Sequence, residues 1–180
     1  MSIHRFATVQ RLPIALDEAW DFFSNPRNLE RITPPDMRFE ITSPLPERVY
    51  AGLIVTYKVR PLAGVPVTWV TEIDHVEDGR LFVDTQLMGP YRLWHHQHHF
   101  LEIPGGVEMR DIVHYAPPFG PAGPLLNALL LRRRIEAIFE HRHHVLVDRF
   151  GAWPGDEANG TAPQPAATPG TTLATGTVAG

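Results

Sequence analysis

The chain has 180 residues, 43% of them hydrophobic and 20% charged, and carries a formal net charge of -4 with histidine neutral. That length suits one domain with a tail, and the acidic balance argues against a nucleic-acid partner, which would need a basic excess. The absence of cysteine removes disulfides, thiolate metal sites and thiol nucleophiles.

Met1-Ser2-Ile3-His4-Arg5 has no apolar signal core behind it, and no apolar run reaches the ~20 residues of a membrane span. A cytoplasmic protein without stable membrane insertion is the expectation. Residues Ile3 to Leu12 alternate as a first strand, ended by Pro13. Asp17 to Phe23 reads as a short helix with its acids at the N-terminal end, where the helix dipole favours them. Asn25 suits a cap and Pro26 the first position of a second short helix, which carries Leu29 and Ile32.

Strands and turns follow. Met37 to Thr42 is one strand, and Leu53, Val55, Tyr57 and Val59 alternate on the next. Val67, Trp69, Thr71 and Ile73 mark another, and Glu77-Asp78-Gly79-Arg80 turns the chain into Leu81 to Leu87. Pro104-Gly105-Gly106 separates the histidine-rich stretch Gly89–Phe100 from a last strand, Val107 to Tyr115. Pro121 to Phe150 has apolar residues at helical spacing, a helix roughly 42 Å long. After it, Gly, Pro, Ala and Thr dominate, and such a segment buries too little to offset its ordering entropy. The division expected is a domain over 1–152 and a tail without order over 153–180.

The expected architecture is α+β: a curved antiparallel sheet of about seven strands wrapped on a long C-terminal helix, with two short helices after the first strand. A curled sheet cannot touch a straight helix everywhere, so a cavity between them is expected.

The histidine stretch carries His95, His96, His98 and His99. As a strand it sets Trp94, His96, His98 and Phe100 on one face, and Tyr91, Leu93, His95, Gln97 and His99 on the other. A solvated face has no need of Trp94 and Phe100, so that row is the inward one, and His95 and His99 are surface residues. A His-x-His pair on one strand face is ligand geometry for zinc or iron, but a third ligand is needed. A three-residue turn at Pro104-Gly105-Gly106 would supply His114, and a two- or four-residue turn would supply Asp111. The reading taken is a polar cavity wall with no metal and no cofactor. His141, His143 and His144 on the long helix, like Arg132-Arg133-Arg134, read as a solvated face.

The element order, with Thr8 to Pro26 as entry strand and Trp-x-x-Phe-bearing helix, resembles the START-like (SRPBCC) superfamily over residues 3 to about 150. Gly89-Pro90-Tyr91, Trp94-x-His96-x-His98-x-Phe100 and Asp111-x-Val113-x-Tyr115-x-Pro117 resemble a bacterial subgroup of ligand-binding SRPBCC domains. The resemblance implies the helix-grip fold and a small hydrophobic or amphipathic ligand between sheet and helix. Tyr57, Trp69, Trp94, His96, His98, Phe100, Asp111 and Tyr115 would line the site. Arg142 either supplies the cavity's cation or carries its head to water. The superfamily also contains polyketide cyclases, and His96 or His98 as general base with Asp111 behind it would make a cyclase or dehydratase. No nucleophile or cofactor fingerprint accompanies them, so enzyme activity stays open. A third reading is a module for a protein partner, docking on Leu125–Leu131.

Overall fold

The computed structural model describes residues 3–60, 64–118, 130–154 and 164–165. Strand β1 (His4–Leu12) leads into helix α1 (Leu16–Phe23), which buries Ala19, Trp20, Phe22 and Phe23 and keeps Asp17 and Glu18 in its first turn. The second short helix is a 3-10 helix over Pro26–Ile32, with Pro26 at its start and the Asn25 side chain accepting the Arg27 N–H at 3.0 Å. The 3-10 helix start follows the capping logic of its residues, whereas α1 starts at Ala15 without a side-chain cap and has only the acids of its first turn to meet the helix dipole.

Between Pro34 and Ile41 the structure departs from the expected strand. Pro35–Met37 forms a 3-10 turn ended by Arg38 in the left-handed region, so β2 is only Glu40–Ile41. The proline at the start of the turn favours the helical φ, and the left-handed Arg38 breaks the extended backbone before Glu40, which shortens the strand. The following strands are β3 (Ile54–Val59), β4 (Val67–Glu77), β5 (Leu81–Met88), β6 (Leu93–Ile103) and β7 (Gly106–Ala116). All pair antiparallel with their neighbours in sequence, and β1 closes the far edge against β7, giving the order β2-β3-β4-β5-β6-β7-β1. Gln164–Pro165 (β8) adds a short antiparallel pairing to β1. Of the expected tail over 153–180, Trp153 and Pro154 are also described, with the Trp153 ring set against Gly105 and Gly106, and the rest lies outside the described residues.

The helix facing the sheet, α2, is described over Arg132–Phe150, and its expected beginning at Pro121 falls outside the described residues, as does most of Leu125–Leu131. Its buried residues are Ile135, Phe139, Arg142 and Leu146, one stripe at helical spacing. Arg142 therefore points inward, which removes the alternative of a head carried to water. Gly151, at φ 94, ends the helix with its N–H on the Val147 carbonyl.

Two apolar clusters hold these layers together. The larger gathers Leu12, Trp20, Phe22, Phe23, Val55, Tyr57, Ile73, Phe82, Phe100 and Leu146; the smaller gathers Tyr91, Trp94, Val113, Tyr115, Leu131, Ile135 and Phe139. Each fully buried side chain of this kind contributes about 1.5–3 kcal/mol. Tyr91 belongs to the second cluster although strand alternation assigns it to the outer face. It sits in the bend before β6, outside the alternation, and its ring turns to Trp94 at 4.9 Å between centroids. Along α2, Phe139 belongs to one cluster and Leu146 to the other, and Arg142 lies between them.

Candidate functional site

The β6–β7 hairpin decides what meets the histidines. Ile103 pairs with Gly106, so the turn has two residues, Pro104 and Gly105, and His98 lies opposite Asp111. Gly105 takes φ 91, which favours glycine, and a Cβ on Gly106 would collide with the Leu12 carbonyl oxygen. On the other side, β5 sets Asp84 opposite His96. Strand alternation buries His96 and His98, while His95, Gln97 and His99 face outward and hydrogen-bond along the strand. His114 pairs with His95 on the outer face, which leaves Asp111 as the inward residue of β7.

Four elements thus bring five polar side chains together: Asp84 from β5, His96 and His98 from β6, Asp111 from β7, Arg142 from α2. Asp111 Oδ1 is the hub. His96 Nε2 lies 2.7 Å from it, and Arg142 Nη1 donates to it at 3.3 Å. His98 Nδ1 is 3.0 Å from the same oxygen, close enough for an ion pair but not aligned as a hydrogen bond. Asp84 Oδ2 takes the other side, 3.0 Å from His98 Nε2 and 3.5 Å from His96 Nδ1. The imidazole centroids are 3.7 Å apart, and Phe82 stacks on His98 at 4.0 Å. Phe139 meets the edge of His96 and lies 4.9 Å from the Arg142 guanidinium carbon.

Asp111 and Arg142 are 1% and 6% exposed, so bulk solvent screens these charges little and their balance matters. Burial pushes His96 down to about 4, and His98 beside it adds to this against the pull of Asp111 and Asp84. Burial also acts to lower His98, but its contacts with Asp111 and Asp84 prevail and its pKa is raised. Burial would raise Asp111, yet Arg142 and the two histidines outweigh it and hold the carboxyl well below the usual range. Asp84 is lowered in the same way, chiefly through His98 and His96 against its burial. The two carboxylates and the guanidinium thus hold one another ionised, His98 is made more basic and His96 less basic.

Asp84, His96, His98 and Arg142 form one wall of a cavity of about 140 Å³ between the sheet, the short helices and α2. Tyr57, Trp69, Trp94, His96, His98 and Arg142 line it, together with Phe22, Phe39, Val55, Thr71, Ile73, Phe82 and Asp84. Phe100, Asp111 and Tyr115 do not. Phe100 packs among Trp20, Phe23 and Phe82, Tyr115 belongs to the second apolar cluster, and Asp111 lies behind the histidines. These three leave the lining because the sheet curls, so that residues on one strand face meet different layers along its length. Asp84 is the residue that sequence reasoning missed. Its signal was a carboxylate two positions after Phe82, on the core-facing parity of a strand. Tyr57 hydrogen-bonds Thr71 at 3.1 Å across the cavity wall, and burial raises its phenol.

Residues 32–150, well over half of the chain and including every member of this cluster, match the family model described as a domain of unknown function, DUF8410. The chain belongs to the DUF8410 family. None of the curated proteins compared with it matches. Among solved structures, this DUF8410 chain is similar to the ZhuI aromatase/cyclase from Streptomyces sp. R1128, with a TM-score of 0.65 and 14% identity, over 82% of this chain and 93% of that one. A START superfamily protein from Mycobacterium smegmatis gives 0.62 and 9% identity, over 82% and 97%. The structure of Ara h 8.0201 gives 0.58 and 12%, over 82% and 99%. At these identities the likeness establishes the fold, which is the START-like helix grip. Among the described residues of this DUF8410 protein no helix is long and apolar enough to cross a membrane.

Proposed function

We propose that the protein binds a small amphipathic molecule in the cavity, with an apolar part of about one aromatic ring and an oxygen-bearing polar end. The observation that carries this reading is the Arg142 Nε–H, a buried donor at the cavity wall without a hydrogen-bond partner among the described residues. Buried donors are rarely left so, and an acceptor on a ligand would satisfy it. Trp69 Nε1, also at the wall, is a second such donor. The apolar side chains of Phe22, Phe39, Val55 and Ile73 would supply affinity.

The volume favours a small ligand. An apolar cavity of about 150 Å³ holds benzene, whereas drug-sized ligands occupy about 300–1,000 Å³. A cavity of about 140 Å³ accordingly suits one ring better than a polyketide chain or a lipid tail.

The cyclase or dehydratase reading has one observation in its favour, the 2.7 Å contact of cavity-lining His96 with Asp111. Its weakness is basicity. A general base works best with a pKa near the operating pH, whereas burial pushes the cavity-lining His96, the histidine in contact with Asp111, down to about 4. Binding is therefore the function we favour.

Calorimetric titration with acetophenone, and with toluene as the comparison lacking an acceptor, tests the reading. Acetophenone is expected to bind tighter by on the order of tenfold, the worth of about one hydrogen bond. Ile73→Trp, which fills the cavity, is expected to abolish both. No binding of either compound, or binding that survives Ile73→Trp in a folded variant, would overturn the proposal.

A further inference from the structure

His96 Nε2 lies 2.7 Å from Asp111 Oδ1, which leaves His96 Nδ1 on the Asp84 side of the ring. His96 Nδ1 faces Asp84 Oδ2 at 3.5 Å. His98 Nε2 lies 3.0 Å from the same Asp84 oxygen. Asp84, His96 and His98 each offer a ligand atom within 4.8 Å of those of the other two. Ligands held about 2.0–2.2 Å from one ion are separated by roughly 2.8–3.6 Å in tetrahedral or octahedral coordination. Both distances to Asp84 Oδ2 lie in that range.

We propose that Asp84 Oδ2, His96 Nδ1 and His98 Nε2 together bind one divalent first-row transition-metal ion of the zinc or iron(II) class, with its remaining positions open to the cavity.

Three further observations carry the site. The remote nitrogen of each imidazole, His96 Nε2 and His98 Nδ1, lies at 2.7 and 3.0 Å from the single oxygen Asp111 Oδ1. Metal-ligating histidines commonly present their second nitrogen to a carboxylate in this way, which sets ring orientation and tautomer. Arg142 in turn holds Asp111 at 3.3 Å. All three ligand side chains line the cavity, so a water or a ligand oxygen can complete the coordination. The donor set of two imidazoles and one carboxylate suits zinc or iron, whereas calcium and magnesium select oxygen ligands. On binding, the ion takes the place of the proton on His98 Nε2, which passes to solvent. Asp111 is a positioning residue here and touches no metal.

This inference goes beyond the ligand reading: the ion needs these three side chains and no apolar occupant, so either proposal can fail while the other stands. The full chain, stripped with a chelator and dialysed, is titrated with Zn(II) by calorimetry and with Co(II) by its visible absorption. One equivalent per chain is expected, with the Co(II) spectrum of a nitrogen- and oxygen-ligated low-coordinate site. Asp84→Asn, which keeps the shape of the side chain, and His98→Ala are expected to abolish that equivalent. Asp111→Asn should weaken it about 10- to 100-fold. His141→Ala/His144→Ala, on α2 away from the cluster, should leave it unchanged and so controls for metal caught by surface histidines. Circular dichroism checks that each variant is folded. The proposal is overturned if the wild type binds neither ion, if the equivalent survives in folded Asp84→Asn, or if His141→Ala/His144→Ala removes it.

Discussion

Replacing Asp111 with alanine is expected to destabilise the protein by about 3–5 kcal/mol, the range for removing one partner of a buried ion pair. Asp111 Oδ1 is the shared acceptor for His96, His98 and Arg142, and the residue is 1% exposed. Without it the Arg142 guanidinium stays buried beside Phe139 and His98, with Asp84 as the remaining carboxylate of the cluster. For a domain of this size the loss corresponds to a fall of about 6–20 °C in melting temperature. Arg142→Met alone is expected to cost as much, because it strands the Asp111 carboxylate. The double variant Asp111→Ala/Arg142→Met should cost clearly less than the sum, since neither charge is then left unpaired. Denaturant unfolding of the four proteins measures the coupling. Additive losses would show that the two residues do not support one another.

The strong interaction of these residues explains which parts of the site could be read from sequence. Alternation alone turns His96 and His98 inward, because Trp94 and Phe100 share their face and no solvated face needs two large aromatics. Whether Asp111 or His114 meets them depends on one residue of turn length, and composition cannot distinguish two residues from three at Pro104-Gly105-Gly106. The structure resolves it through the Ile103–Gly106 pair. Asp84 was hidden for another reason. It comes from β5, where residues on both sides of the strand are partly covered and the alternation is weak: Phe82 and Val83 are both buried. Arg142 was visible within the helical stripe, but only the sheet's curvature shows that its head ends on Asp111 and not in water. The fold itself was legible, since strands, short helices and long helix all follow from local periodicity. The strand expected at Met37–Thr42 shrinks to Glu40–Ile41, because the 3-10 turn Pro35–Met37 and the left-handed Arg38 take its first residues.

Phe100 separates stability from binding. It shares the strand face of His96 and His98, yet it lies past the cavity, with ring centroids 5.5 Å from Trp20, 5.4 Å from Phe23 and 6.2 Å from Phe82. Phe100→Ala is expected to cost about 3–5 kcal/mol, the range for truncating a buried aromatic. Part of this is the loss of edge and stacked ring contacts, worth about 0.5–1.5 kcal/mol per pair beyond the area buried. The variant should nevertheless bind acetophenone as the wild type does, per folded molecule, at a temperature where it remains folded. Trp94→Ala is the contrast. Trp94 lines the cavity and meets Trp69 edge-on at 5.4 Å, so its removal should change ligand affinity as well as stability. Unfolding curves and calorimetric titrations on the same preparations give both quantities. If folded Phe100→Ala loses the ligand while Trp94→Ala keeps it, the ligand occupies the α1 end of the sheet and not the space beside the histidines.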